Sequence, residues 1–110
     1  MIDDRIRRIE TRIQESGNIA PESKAELLKL LVALRDEVAG LEQTHQDDAR
    51  SIARFVDASA HEATRSEKKP KLVEASLNGL TASVESFEAS HPKLADVVNQ
   101  IAVALSNMGL

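Results

Sequence analysis

The side chains with which this sequence could do chemistry are three histidines, three pairs of adjacent carboxylates and scattered serines and threonines. His61-Glu62-Ala63-Thr64-Arg65 matches half of a zinc-protease helix, but Arg65 stands where the second histidine belongs. No histidine has a second histidine or a cysteine at metal-ligand spacing. The chain has no cysteine at all, which excludes disulfides and thiol chemistry. Asp3-Asp4, Asp36-Glu37 and Asp47-Asp48 are sequence neighbours, and neighbours on a helix point about 100° apart, so no pair forms a catalytic dyad. No serine sits in a nucleophile elbow, and the four scattered glycines make no phosphate-binding loop. The pattern predicts no catalytic residue, metal or cofactor, and no enzyme. A sensing role is the chemistry left open: His45 falls on an apolar helical seam, where protonation is costly. A ligand-, pH- or metal-responsive regulator using His45, His61 or His91 is therefore one alternative function. The plainer reading of His45 is a polar residue that sets register.

The elements that would position these residues are helices. From Pro21 to Ser66 there is one glycine, Gly40, and no further proline. Leu27, Leu31, Leu34, Val38 and Leu41 recur at alternating steps of four and three, the seam of a helix packed along a partner helix. Leu28, Leu30 and Val32 widen that face beyond a simple dimer seam. The register passes through His45 and Asp48 and recovers at Ile52 and Phe55, with Ala49, Ala53, Val56, Ala60 and Ala63 on an adjoining face. Residues 44–48 form a weak joint, and Asp47 or Asp48 could cap a new helix there. The expectation is an unbroken helix over 21–66, which would span about 67 Å at 1.5 Å per residue. Such a rod implies an elongated molecule with a second chain along it.

Before that helix, Ile2, Ile6, Ile9 and Ile13 predict an amphipathic helix over 2–15 that docks its isoleucine stripe and leaves a charged face in solvent. Ser16-Gly17-Asn18 ends it, with Gly17 suited to a left-handed cap. Pro21, and Ser23 with Glu26 as a capping box, place the start of the long helix. After it, Arg65 to Lys71 forms a hairpin turn, within which Pro70 biases Lys69 away from helix. Val73, Leu77, Leu80, Val84 and Phe87 continue in register to Leu94, Val98, Ile101, Leu105 and Met108. Pro92 divides this arm into helices over 71–90 and 92–108, with Ser90 as a cap and a single kinked rod as the alternative. Gly40 and Gly79 each suggest a close helix crossing. The fold class is all-α, a single domain built as an elongated helical hairpin or bundle with coiled-coil-like seams.

Composition narrows the function classes. Aromatic content is 2%, with no Trp or Tyr, which favours thin aliphatic seams over a deep ligand pocket. The formal net charge of −4 argues against a generic nucleic-acid binder. Arg5, Arg7, Arg8 and Arg12 cluster, but Asp3, Asp4, Glu10 and Glu15 balance them within the segment. No apolar run reaches the roughly 18 residues of a membrane span, and the start lacks a secretion signal, so a cytoplasmic protein is expected. Residues 97–110 carry no charged side chain, which suggests the most buried helix, or in a sharper reading a peripheral membrane contact.

Phe87-Glu88, His91-Pro92-Lys93-Leu94 and the ending Ala104-Leu105-Ser106-Asn107-Met108-Gly109-Leu110 resemble a family of short bacterial proteins of unknown function. The family's usual last residue is Ile, here Leu110. The resemblance covers residues 72–110 well and 1–43 loosely, with 44–70 resembling an extension. It implies a bacterial, mostly helical protein and carries over no activity or ligand residue. The expected function is thus non-enzymatic: a self-associating interaction or scaffold protein. A homo-oligomer, with a dimer favoured, and an unidentified protein partner are the expected associations.

Overall fold

The isoleucine and leucine stripes fold into five α-helices and one 3₁₀ turn, described for residues 2–109 in a computed structural model of the chain. The helices are α1 (Ile2–Glu15), α2 (Pro21–Glu42), α3 (Gln46–Thr64), α4 (Pro70–Ala82) and α5 (Pro92–Gly109), and the 3₁₀ turn is Glu85–Phe87. There is no strand among the described residues, so the chain is an all-α bundle.

The 21–66 helix is broken. After Glu42 the chain turns through 43–45, where the His45 N–H reaches back to the Leu41 carbonyl at 2.8 Å and its own carbonyl starts α3 by accepting from Ala49. Asp47 and Asp48 do not cap α3; they occupy its first turn, where carboxylates suit the helix dipole. With the break, no 67 Å rod forms. α3 folds back on α2, and the molecule measures 37 × 24 × 21 Å with a radius of gyration of 12.9 Å, about that of a compact chain of this length. The expectation of an elongated shape rested on the unbroken rod and falls with it.

Several local signals also resolve differently from expectation. α2 has Ala20 as its N-cap and Pro21 at its first position, and no side chain caps it, so Ser23 and Glu26 do not act as a capping box. Gly17 has no positive φ; the chain leaves α1 through bends rather than a left-handed cap. The 71–90 helix stops at Ala82, where Ser83 N–H and Oγ both bond carbonyls of the last turn, and residues 85–87 tighten into the 3₁₀ turn. At Pro92 the chain does start a new helix, but the His91 carbonyl, not Ser90, makes the first bond into α5.

α3 packs against all four other helices. Its inward face carries Ala49, Ala53, Ala60 and Ala63, all buried. Side chains that short let neighbouring backbones approach closely, so one helix can serve as the common wall of the bundle. Around it, α1 lies against α2, and α5 bridges α2 and α4.

Candidate functional site

The seam residues now have positions. Ile6, Ile9, Ile13, Leu27, Leu31, Leu34, Val38, Leu41, Ile52, Val73, Leu77, Leu80, Val84, Phe87, Leu94, Val98, Ile101 and Leu105 are all buried against one another within a single chain. A second chain is not needed to cover them. Met108 is half-buried at the edge of this core. Phe55 is not a core residue: it is 38% exposed. Ile52 and Val56 turn inward on α3, which leaves Phe55 on the flank, and its ring lies over Gly79 of α4.

Two of the three histidines come together. His45, in the α2–α3 turn, and His91, before α5, each stack edge-on to Phe87 of the 3₁₀ turn, with ring centroids 5.4 and 5.3 Å from it. The two imidazoles are themselves 5.9 Å apart. Thr44 Oγ1 lies 2.8 Å from His45 Nδ1, and Ser90 Oγ lies 2.9 Å from His91 Nδ1. This three-ring cluster ties the break after α2 to the break before α5. Their sequence separation hides it; the only signal was that both seams turn polar there. His61 lies apart from it, on α3 beside α1, with Nε2 4.0 Å from Glu62. No group of three potential metal-ligating side chains occurs among the described residues.

The other distinctive surface is the outer face of α5. Val98, Ile101 and Leu105 are buried, so the apolar side of this helix is spent inside the bundle. Its opposite side carries Asn99, Val103 and Asn107 in one row at helical spacing. Val103 is 61% exposed, more than Val32, Leu72 or Phe55. A shallow groove lies on each side of this row. One, of about 400 Å³, lies toward α4 with Leu77 and Ala102 on its walls. The other, of about 390 Å³, lies toward α2 with Leu30 and Ala104. The ridge is uncharged from Val97 onward, and the acidic residues lining the grooves are Glu26 and Glu74 on the flanking helices. Composition did show the lack of charge, but not which side of the helix would face outward. No described helix is long and apolar enough to cross a membrane.

No curated protein and no solved structure matches this chain. A family model does, over residues 24–110, a range that takes in 44–70 as well as the C-terminal motif. The three-ring cluster and the α5 ridge thus both lie inside the matched region, and the chain belongs to the family of the domain of unknown function DUF4404.

Proposed function

We propose that this chain is a non-enzymatic interaction protein that pairs with a second copy of itself through the outer face of α5. The observation that carries the reading is the Asn99-Val103-Asn107 row, an exposed apolar side chain between two amides on an uncharged ridge. In an antiparallel pair of α5 helices related by a two-fold axis at Val103, Asn99 of each chain meets Asn107 of the other. A carboxamide both donates and accepts, so two such amides satisfy each other. An isologous contact has to be self-complementary in this way. Each of the other four helices exposes charged side chains, and a chain of net charge −4 meets its copy with least repulsion where charge is absent. On the axis the two Val103 side chains meet each other, with a shallow groove on either side.

The test is absolute mass by light scattering after size exclusion, detected by refractive index because the chain has no Trp or Tyr. The parent is expected to run as a dimer, and Val103→Asp as a folded monomer, since Val103 contributes nothing to the core. A parent that stays monomeric on concentration would refute the pairing.

A second reading, a pH-responsive regulator, draws on the gathering of His45 and His91 around Phe87. Two protonated imidazoles 5.9 Å apart would repel each other, which opposes their packing. Mass and helicity that do not change between about pH 5 and pH 8, the range in which histidine switches charge, would remove it.

A further inference from the structure

Net charge is a sum over all faces, and the arginines of this chain are not evenly spread. α1 and α3 lie side by side and run in the same direction, with a trough between them. At one end Arg5 and Arg8 of α1 face Arg50 and Arg54 of α3 around a cleft of about 310 Å³. At the other, Arg8 and Arg12 face Arg65 across a wider cleft of about 580 Å³. Arg8 lines both, which makes the two clefts one trough. Of the arginines in the chain, only Arg7 and Arg35 lie elsewhere, and both are engaged, by Asp3 and Glu10.

The trough is only partly neutralised. Asp57 sits between Arg5 and Arg12, at 3.0 and 3.4 Å, and holds both guanidiniums in place. Glu62 holds Arg65 at 2.9 Å. Asp4 and Glu15 are the acidic residues on the walls. Arg8, Arg50 and Arg54 have no ion-pair partner among the described residues, so their charge is free to meet a ligand. No lysine lines the trough. A row of guanidinium forks suits phosphate or carboxylate, which they bind in a bidentate manner.

The walls choose between those anions. A protein partner needs an apolar core with large anchors at its interface. Among the described residues the trough offers only Ile2 and Ala53, both at one end. A phosphate backbone needs no such core; it is held by cations and by polar side chains. Thr11, Ser16, Asn18 and Thr64 supply these at the wide end, within reach of sugar as well as phosphate oxygens. Arg50 and Arg65 are fifteen positions apart, about 22 Å along the helix, enough for several nucleotides of a single strand. A recess between helices takes one strand, whereas a duplex is read by an element that projects into its groove. Among the described residues the one ring on the walls is the His61 imidazole, with no Phe, Tyr or Trp, so no row of rings is there to stack successive bases.

We propose that the trough between α1 and α3 binds the backbone of a single-stranded nucleic acid, with phosphates on Arg8, Arg50 and Arg54, and does not read its bases. The experiment is fluorescence anisotropy of a labelled oligouridine, long enough to span the trough, titrated with the full chain from about 50 to about 200 mM salt, where backbone contacts lose most affinity. Affinity is expected to fall with salt by roughly 0.7 log units per log unit for each phosphate neutralised. Replacing Arg8, Arg50 and Arg54 together with Gln is expected to weaken binding at least tenfold and to reduce that slope by roughly 2, three phosphates at 0.7 each. Its circular dichroism should match the parent's, because none of the three supports the fold. The charge-matched variant Lys29→Gln, Lys69→Gln, Lys71→Gln should bind like the parent. Absence of binding at the lowest salt would overturn the proposal, as would an equal loss in the lysine variant. Competition by polyglutamate or inorganic polyphosphate as effective as by unlabelled oligouridine would also overturn it, since a nucleotide backbone would then confer no preference.

Discussion

Asp3 and Ser59 show two opposite ways in which single polar groups enter the energetics. Arg7 Nε donates to Asp3 Oδ2 at 2.6 Å, one turn away on α1. That hydrogen bond, with the nearby charges of Arg7 and Arg35, holds the Asp3 carboxyl below its ordinary value. A carboxyl lowered on folding adds stability once the pH exceeds its unfolded value and loses it as the pH falls through its folded value. The acidic limb of the Asp3 titration, followed by carboxyl NMR, is therefore expected to move up toward the ordinary aspartate range in Arg7→Gln. Ser59 is the reverse case. It is completely buried on α3, and its hydroxyl has no hydrogen-bond partner among the described residues. A buried unsatisfied hydroxyl costs roughly 1–3 kcal/mol, so Ser59→Ala is expected to stabilise the fold by about 1 kcal/mol and raise the melting temperature.

At the scale of elements, the two glycines expected at helix crossings separate. A side chain at Gly40, near the end of α2, would meet nothing, so this position is not a crossing. A Cβ at Gly79 would clash with the edge of the Phe55 ring, so α3 and α4 meet there through the absence of a side chain. Gly40→Ala is expected to stabilise by about 0.5–1 kcal/mol through chain entropy. Gly79→Ala should forfeit that gain, because the Phe55 ring would have to swing off its glycine. Thermal melts of the two variants side by side would read the difference, and equal shifts would mean that the ring does not rest on Gly79. The helix breaks belong to this scale too. The α2 and C-terminal seams each lose their apolar pattern once, at His45 and at His91, and the fold places those two points against the same phenylalanine. A polar interruption reads in sequence as a weak position in a rod; in three dimensions it is the corner that lets the rod fold back.

For the molecule as a whole, the bundle is closed by its own chain. Leu34 and Ile101 are completely buried, and truncating either to alanine is expected to cost about 2–5 kcal/mol in chemical denaturation. Such variants test the monomer's core, whereas Val103→Asp tests the contact between copies, so loss of fold and loss of pairing are separable. What the sequence by itself determined is the set of local periodicities. Isoleucines two to thirteen, the leucine seam of α2 and the register from Val73 to Leu105 determined the helical class and most core side chains outside α3, because burial on a helix repeats with the helix period. Pro21, Pro70 and Pro92 fixed three helix starts, because proline lacks an amide hydrogen that a first turn does not use. The tertiary structure decided what lies beyond one helix. Whether residues 43–45 continue or turn depended on whether α3 gained more by folding back onto α2 than by extending, and local propensities at that joint are too small to choose. It also decided that the seams face each other rather than a second chain, and that arginines from α1 and α3, far apart in sequence, line one trough. A seam specifies that a helix has a neighbour, and only the closed fold specifies which one.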